Sequence, residues 1–332
     1  MKKNKKILIT GITGQDGVFL SKDLLENTDY EIIGTSRSKS LDHLNKKIKI
    51  LNFEIKESQN LKIINIDLTN KLEVKKLVRD TKFDFVYNLS GPSSVYESIK
   101  SPQKSKMEIS LIFNNLIDSF VEENYFPNFF QASSSEMFNE EPTERITEVT
   151  RLSPTSPYGK AKSEIHEYIT SIRNKYDWNI SSGIMFNHES ELRNDDYLFM
   201  KIVNRAIEIK NNVHNEIKLG GLDIQRDWSY AGDVMKAAKL IIESDTSEDY
   251  VIGSGKPTSI KSLVEFVFRY FDLDYLNYFQ EDKNLLRPNE PKVKYSSPKK
   301  IKEDFGWETK LTVNDILEKC IEQKLLEFNI QE

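Results

Sequence analysis

Cysteine is nearly absent from this sequence, with Cys320 the only one among 332 residues. A single cysteine cannot form a disulfide within the chain, and it excludes zinc sites built from several cysteines. Histidine is also scarce, and the four histidines lack the close spacing of metal ligands. They are His43, His166, His188 and His214. We therefore expect no metal site.

Long apolar runs are missing as well. No stretch approaches the ~20 apolar residues that span a bilayer, and the run that follows the lysine-rich N-terminus is too short for a signal peptide. The net charge of −5 argues against general nucleic-acid binding, although a few arginines in a cleft can still hold a small anion. We expect a cytoplasmic protein with no membrane or nucleic-acid partner.

Strands alternate with helices through the first half of the chain. The predicted strands are Lys6–Thr10, Glu31–Ser36, Leu61–Asp67, Phe85–Leu89 and Asn128–Ser133. The predicted helices are Val18–Glu26, Leu72–Asp80 and 104–123, with a charged loop and a short helix within 38–60. This alternation predicts an α/β fold, a doubly wound parallel sheet of Rossmann type.

The pattern loosens in the second half. A loop over 139–157 precedes a helix predicted over Tyr158–Tyr176 and a sixth strand over Asn179–Phe186. Further strands are expected near 217–219 and 249–252, and further helices near 232–243, 259–270 and 312–326. We expect a Rossmann domain over 1–186 and a smaller α/β substrate-binding lobe over 187–332, with a soft boundary and a chain that crosses between lobes.

A glycine-rich turn follows the first strand and opens the first helix. It contains Gly11, Thr13, Gly14, Gln15, Asp16 and Gly17. The glycines allow a tight turn, close approach to a pyrophosphate and close packing of helix on strand, and the helix N-terminus favours anions. Placed between strand and helix, the motif predicts dinucleotide binding rather than an ordinary glycine-rich loop.

The second strand ends in Ser36-Arg37, where NAD-binding folds usually carry an acid. A guanidinium can hold a 2′-phosphate bidentately, so NADP is favoured over NAD, unless Arg37 is only a solvated surface residue. Asp67 and Leu68 end the third strand, where the adenine would lie. Leu89 and Ser90 end the fourth, under the expected ribose and nicotinamide.

Tyr158 and Lys162 are four residues apart and share one face of a predicted helix. The lysine can lower the pKa of the tyrosine, which lets the phenol exchange a proton with a substrate hydroxyl near neutral pH. Ser134 and Glu136 follow the fifth strand. The hydroxyl suits binding of the reacting oxygen and the carboxylate suits carbon-acid chemistry, although a surface charge is the alternative for Glu136.

Several blocks, in order along nearly the whole chain, resemble the GDP-mannose 4,6-dehydratase family of extended short-chain dehydrogenases/reductases. They are the glycine turn at 11–17, Gln131–Glu136, Ser156–Tyr158, Phe186–Ser190, Arg226–Trp228, Arg287–Glu290 and Phe305–Trp307. Gln-Asp in the turn and Phe-Asn-His-Glu-Ser are the most specific. The remaining blocks also fit sugar-nucleotide dehydratases, reductases and epimerases of the same fold.

The resemblance implies roles for individual residues. The catalytic set would be Ser134 (threonine in the family), Glu136, Tyr158 and Lys162, the last two also touching the cofactor. His188 and Arg193 match residues that contact NADP, and Ser93 is assigned to the cofactor as well. The GDP-sugar would be held by Ser94, Asn187, Lys201, Arg226, Arg287 and Glu290.

Departures from the family concern both sugar and assembly. Gln-Ser-His of the family is Pro92-Ser93-Ser94 here, beside the expected sugar, and the alanine after the tyrosine is Gly159. An arginine pair that serves tetramer contacts is reduced to Arg37-Ser38. The resemblance still implies a homodimer or homotetramer, paired through the helices near 104–123 and 158–176.

The resemblance implies a hydro-lyase that uses NADP to convert GDP-mannose, or a GDP-heptose, into a 4-keto-6-deoxy sugar nucleotide for deoxysugar biosynthesis. Transient oxidation, water elimination and hydride return make up the cycle. An NADPH-dependent reductase or an epimerase acting on a related sugar nucleotide is the alternative. A non-catalytic nucleotide-sensing or scaffold protein on the same fold is disfavoured, because all four catalytic positions are filled.

Overall fold

The computed structural model describes residues 4–55, 60–139, 145–244, 246–286 and 290–329. Its strands are β1 Lys6–Thr10, β2 Glu31–Ser36, β3 Leu61–Asn65, β4 Phe85–Asn88, β5 Asn128–Ser134, β6 Ile180–Met185, β7 Asn187–Glu189, β8 Ile217–Leu219, β9 Gln225–Tyr230, β10 Asp249–Ile252, β11 Pro257–Ser259, β12 Phe279–Glu281 and β13 Val293–Lys294. Its helices are α1 Gln15–Asn27, α2 Asp42–Ile50, α3 Lys71–Asp80, α4 Val95–Lys100, α5 Pro102–Glu122, α6 Pro157–Tyr176, α7 Leu198–Lys210, α8 Ala231–Glu243, α9 Ile260–Tyr270, α10 Lys299–Phe305 and α11 Val313–Asn329.

A seven-stranded sheet with the order β10-β6-β5-β4-β1-β2-β3 forms the centre of the first part of the chain. The pairs from β3 through to β6 are all parallel, and helices flank the sheet. The predicted doubly wound Rossmann-type fold is confirmed. The strand order reverses between β1 and β4, and ligands of such sheets bind outside the carboxyl ends at this point.

The core explains why these segments fold as they do. Strands β1 and β4 are buried along almost their whole length, as strands covered on both faces must be. The helices α3, α5 and α6 share one apolar cluster with them, in which Phe113, Phe129 and Trp178 are almost fully buried. Elsewhere in this part, Lys239 of α8 forms an ion pair with Asp23 of α1 at 2.9 Å.

The chain divides into two compact units, each built from separate segments. The first comprises the described residues of Met1–Phe138, Glu148–Met185 and Met235–Tyr250. The second comprises those of Asn139–Thr147, Phe186–Val234 and Val251–Glu332. These units differ from the proposed domains 1–186 and 187–332 in two internal segments. Asn139–Thr147 belongs to the second unit, and Met235–Tyr250 belongs to the first. The domain division stays a proposal.

The second unit is built around β9. It pairs with β7 and β13 in parallel and with β11 antiparallel, while β8 and β12 form a separate pair. Helices α7, α9 and α11 contribute the apolar core beside it, with Phe199 packed on Trp228 at a ring separation of 4.8 Å. Within the described residues, no helix has both the length and the apolarity to cross a membrane.

Candidate active site

The glycine-rich turn has the geometry that its sequence predicts. Gly11 adopts φ +68°, in the left-handed region, and Gly14 N–H donates to the Gly11 carbonyl at 2.9 Å. A Cβ atom on Gly17 would lie 2.6 Å from that carbonyl oxygen. A side chain at position 17 therefore does not fit where the start of α1 packs against the turn after β1.

This turn fits a dinucleotide phosphate. Gly14 is the N-cap of α1 and supplies no capping side chain, so the helix start can offer its N–H groups and dipole to an anion. Lys47 of α2 donates from Nζ to the Thr13 carbonyl at 2.9 Å, which adds a cation beside the turn. Gln15 and Asp16 occupy the first helical turn and contact each other.

The turn after β4 touches the glycine turn. Thr10 Oγ1 accepts from the N–H groups of Leu89 and Ser90 at 3.0 and 3.1 Å. A Cβ on Gly11 would lie 3.2 Å from the Leu89 carbonyl oxygen. Gly11, Leu89 and Ser90, predicted from separate motifs, therefore meet where the strand order reverses.

The ends of β2 and β3 carry charge of both signs. Arg37 is exposed, and its Nη1 lies 2.5 Å from Glu108 Oε1 on α5, a partner that sequence reasoning missed. The Asp67 carboxylate accepts from the N–H and hydroxyl of Thr69 at 2.9 and 2.8 Å. These bonds, with a smaller contribution from Arg37, lower the pKa of Asp67. Leu68 beside it is buried.

Ser134 and Glu136 lie at the carboxyl end of β5. Ser134 ends the strand and is buried, and its Oγ accepts from the Glu136 N–H at 3.2 Å. This bond begins a single 3₁₀ turn, Ser135–Met137. The Ser134 hydroxyl thus fixes the backbone of Glu136 and can still donate its own proton to a ligand oxygen. Glu136 itself is partly exposed.

Tyr158 and Lys162 lie on one face of α6, near its start. Ser156 caps this helix through its Oγ, and Pro157 occupies the first turn. Lys162 Nζ donates to the Ala132 carbonyl at 2.7 Å and lies 5.8 Å from the Tyr158 ring centroid. Burial lowers the pKa of Lys162 to about 8.

Gly159 brings the Glu136 turn against this helix. A Cβ on Gly159 would lie 2.3 Å from the Glu136 carbonyl oxygen, closer than real Cβ contacts. The glycine that replaces the family's alanine therefore permits this close approach. Ser134 and Glu136 therefore lie on a segment of the first unit that adjoins the start of α6, where Tyr158 and Lys162 lie. The catalytic roles of the four residues stay predictions.

A buried polar chain leads to Lys162, and sequence reasoning missed it. Thr10 Oγ1 donates to Asn88 Oδ1 at 2.8 Å, and Asn88 Nδ2 donates to Gln131 Oε1 at 2.8 Å. Gln131 Nε2 then donates to the Ala132 carbonyl at 2.9 Å, the same oxygen that Lys162 contacts. The feature of the sequence that could have predicted this chain is a polar residue within each of three otherwise apolar strands.

The segment after β4 has a capping role as well. Ser94 is the N-cap of α4, and its Oγ accepts from the Glu97 N–H at 3.2 Å. Ser93 beside it is exposed. This short helix was not predicted from the sequence. The assignment of Ser93 to the cofactor and Ser94 to the sugar stays a prediction.

Several predicted ligands of the second unit are held by acidic or carbonyl partners. Arg193 donates from Nε to Glu189 Oε2 at 2.6 Å and also to the His188 carbonyl. His188 Nδ1 lies 2.8 Å from the Phe186 carbonyl. Asn187 begins β7, in register with Trp228 of β9. The Phe-Asn-His-Glu-Ser motif is thus an ordered strand and turn.

Arg226 and Glu290 contact each other directly. Arg226 is buried on β9, and its Nη2 donates to Glu290 Oε1 at 2.8 Å. Lys201 of α7 donates to the Lys218 carbonyl at 3.1 Å, and burial lowers the pKa of Lys201. Arg287 lies outside the described residues. The structure therefore brings two of these predicted sugar-nucleotide ligands together.

Asp227, which follows Arg226, organises the middle of the second unit. Its buried carboxylate accepts hydrogen bonds from the backbone and hydroxyl groups of Ser254 and Ser296 and from the Gly255 N–H. The Arg-Asp-Trp block therefore combines a candidate ligand with a structural acceptor. Among the described residues, no cluster of histidine, cysteine and acidic side chains could hold a metal ion.

A family model described as GDP-mannose 4,6 dehydratase matches residues 8–320. The chain belongs to this family. Among its relatives, GDP-mannose 4,6 dehydratase 1 of Arabidopsis thaliana is 29% identical over 334 residues, covering 98% of this chain and 91% of that protein. GDP-mannose 4,6-dehydratase of Vibrio cholerae serotype O1 is 27% identical over 352 residues, covering 97% and 94%.

Solved structures share the fold. The dTDP-glucose 4,6-dehydratase of Bacillus anthracis, in complex with NAD, superposes with a TM-score of 0.82 at 18% identity, covering 98% of each chain. RMD from Pseudomonas aeruginosa, complexed with NADPH, gives 0.77 at 17% identity, covering 96% of this chain and 99% of that one. These similarities confirm the fold. One neighbour binds NAD and the other NADPH.

Proposed function

We propose that the protein is a hydro-lyase that converts GDP-mannose into the 4-keto-6-deoxy sugar nucleotide, with NADP as its bound cofactor. One observation carries the proposal: the turn that holds Glu136 packs against the helix that holds Tyr158 and Lys162. A base for a carbon acid thus lies beside an acid–base pair for a hydroxyl. Membership of the family and its curated relatives support GDP-mannose as the substrate.

The first unit would bind the cofactor. The proposal assigns the dinucleotide to the glycine turn, to the ends of β2, β3 and β4, and to Tyr158 and Lys162. When bound, the nicotinamide would supply a hydride acceptor for sugar C4 and later a hydride donor for C6. Arg37 supports NADP, because a guanidinium binds a 2′-phosphate well.

Tyr158 would take the proton of the sugar 4-hydroxyl while Ser134 donates a hydrogen bond to the same oxygen. Lys162, charged near neutral pH, would stabilise the tyrosinate. The resulting 4-ketone acidifies the C5 proton, which Glu136 would remove before protonating the 6-hydroxyl as it leaves. The proton that Tyr158 holds would then pass to C5 as hydride reaches C6, so Tyr158 regains its phenolate and the sugar nucleotide loses one water overall.

The second unit would hold the nucleotide part. The proposed nucleotide ligands are Asn187, Lys201, Arg226, Arg287 and Glu290. Ser94 is assigned to the sugar, and His188 and Arg193 are assigned to the cofactor. Arg226 supports this assignment, because its guanidinium is oriented by Glu290 and by the Gln225 carbonyl at 2.7 Å. Oriented guanidinium groups suit a diphosphate.

The test uses a panel of nucleotide sugars without added reductant, including GDP-mannose, a GDP-heptose and dTDP-glucose. Mass spectrometry should show loss of one water from GDP-mannose. No water loss from any of them, together with stoichiometric NADPH consumption on a 4-keto sugar nucleotide, would establish a reductase and contradict the proposal.

Glu136→Gln separates the steps of the reaction. It removes the base but leaves Tyr158, Lys162 and Ser134, so oxidation should continue while elimination stops. Reduced cofactor should accumulate and be detected by its near-ultraviolet absorbance, and turnover should fall roughly 10²–10⁴-fold. Tyr158→Phe should give no such absorbance, and the surface control Glu303→Gln should behave as the unmodified protein does. Normal turnover in Glu136→Gln would leave Glu136 without a catalytic role.

A further inference from the structure

Two acidic side chains lie near Arg37, the residue proposed to bind the 2′-phosphate of the cofactor. It projects from the end of β2, and its guanidinium is paired with Glu108 of α5 at 2.5 Å. The Asp67 carboxylate, after β3, lies close enough for Arg37 to contribute to its lowered pKa. One positive and two negative side chains therefore share this corner.

The two carboxylates beside Arg37 have different partners. Asp67 is fixed by its two bonds to Thr69. Glu108 is only 15% exposed, whereas Arg37 is 66% exposed, so the arginine is the more accessible partner, and the ion pair holds its guanidinium against α5. A ligand phosphate must displace Glu108 or share the guanidinium with it, and either course opposes binding by repulsion between like charges.

We propose that Glu108 is a specificity-determining residue for the cofactor, which restrains Arg37 and reduces the preference for a 2′-phosphate over a 2′-hydroxyl. The inference rests on the proposed function for the identity of the ligand as a nicotinamide dinucleotide. NADP remains the preferred cofactor, because a phosphate carries up to two charges against the single charge of the carboxylate. The preference for NADP over NAD therefore depends on Arg37 and Glu108 together rather than on Arg37 alone.

Isothermal titration calorimetry of the full chain with NADP and with NAD tests this proposal. Glu108→Gln should bind NADP roughly threefold to tenfold more tightly, the range expected when an exposed ion pair and a like-charge repulsion are both removed. Its affinity for NAD should change less than twofold. Glu122→Gln is the matched control, because it lies on the same helix, pairs with Lys71 and Lys75 and removes the same charge.

A second background shows whether the effect acts through Arg37. In Arg37→Gln, adding Glu108→Gln should increase NADP affinity by no more than about twofold, since no guanidinium remains to be released and only the repulsion between Glu108 and the phosphate is relieved. An undiminished gain in that background would overturn the proposed restraint. So would an unchanged ratio of NADP to NAD affinity in Glu108→Gln, or weaker NADP binding, which would mean that Glu108 orients Arg37 for phosphate.

Dinucleotide binding and sugar turnover are measured separately, so the two proposals can fail separately. If the affinities shift as expected and no nucleotide sugar loses water, the role of Glu108 stands and the proposed reaction is wrong. If neither dinucleotide binds the unmodified protein, both the cofactor assignment and the role of Glu108 are wrong.

Discussion

Lys162 is a lysine enclosed by protein, with 7% of its surface exposed. Its ammonium donates to the Ala132 carbonyl, and burial lowers its pKa to about 8 because the charged form loses hydration. The unfolded chain holds this proton up to about 10.5. The contribution of this group to stability therefore grows as pH rises from about 8 to 10.5 and is diminished below that window.

The same shift predicts a pH limit on catalysis. If the ammonium stabilises the Tyr158 phenolate, kcat/KM for the sugar nucleotide should fall as pH rises through about 8, where Lys162 loses its charge. Lys162→Arg, which stays charged at all accessible pH values, should lose this alkaline limb even if its activity is low. A profile of the unmodified protein that stays flat to pH 10 would contradict the assigned role.

At the scale of elements, patterning predicted the parallel sheet well. The bounds of β1 and β2 match the expectation residue for residue, because apolar runs between turn signals are distinctive there. Helix α1 begins at Gln15 rather than Val18, since periodicity of apolar residues does not detect a polar first turn. The glycine turn and the Tyr158–Lys162 spacing were equally readable, because both depend on neighbours in sequence.

Features that depend on distant residues were not predictable in the same way. Strand β9 contains Arg226 and Asp227, whose polarity disguises a buried strand, and it is stabilised by bonds from Ser254 and Ser296. The ion pair between Arg37 and Glu108 joins residues far apart in sequence. Helix α7 was missed, although one of its faces is apolar and buried.

The contact between α6 and the Glu136 turn yields a prediction for stability. Gly159→Ala gains about 1 kcal/mol of helix propensity, but its Cβ would meet the Glu136 carbonyl at 2.3 Å, and overpacking costs about 1–3 kcal/mol. The clash should win, because backbone has to move, and the midpoint of thermal unfolding should fall. The control Gly221→Ala, whose nearest contact is 3.6 Å, should lower it less. Equal midpoints of thermal unfolding for both variants would show that the Glu136 turn can move to accept the Cβ without loss of stability.

For the whole molecule, the outer faces of α5 and α6 predict self-association. Met107 and Tyr168 are 61% and 44% exposed, and Tyr168 packs edge-on against Phe113 of α5, so the two helices offer an apolar surface. We expect at least a dimer by light scattering at micromolar concentration. Met107→Glu combined with Tyr168→Glu should give monomers, whereas Leu326→Glu, at another exposed apolar position on α11, should not. A mass of one chain for the unmodified protein would refute the expectation.

The interleaved order of the two units has a consequence for biosynthesis. Strand β6 is buried throughout, and its neighbour on one side, β10, lies beyond β7, β8 and β9 in the chain. On the ribosome, β6 therefore emerges long before β10 and must wait with an unpaired apolar edge, which is prone to join other strands. Nascent chains of this protein should depend on chaperones most during the interval in which residues 186–248 emerge from the ribosome.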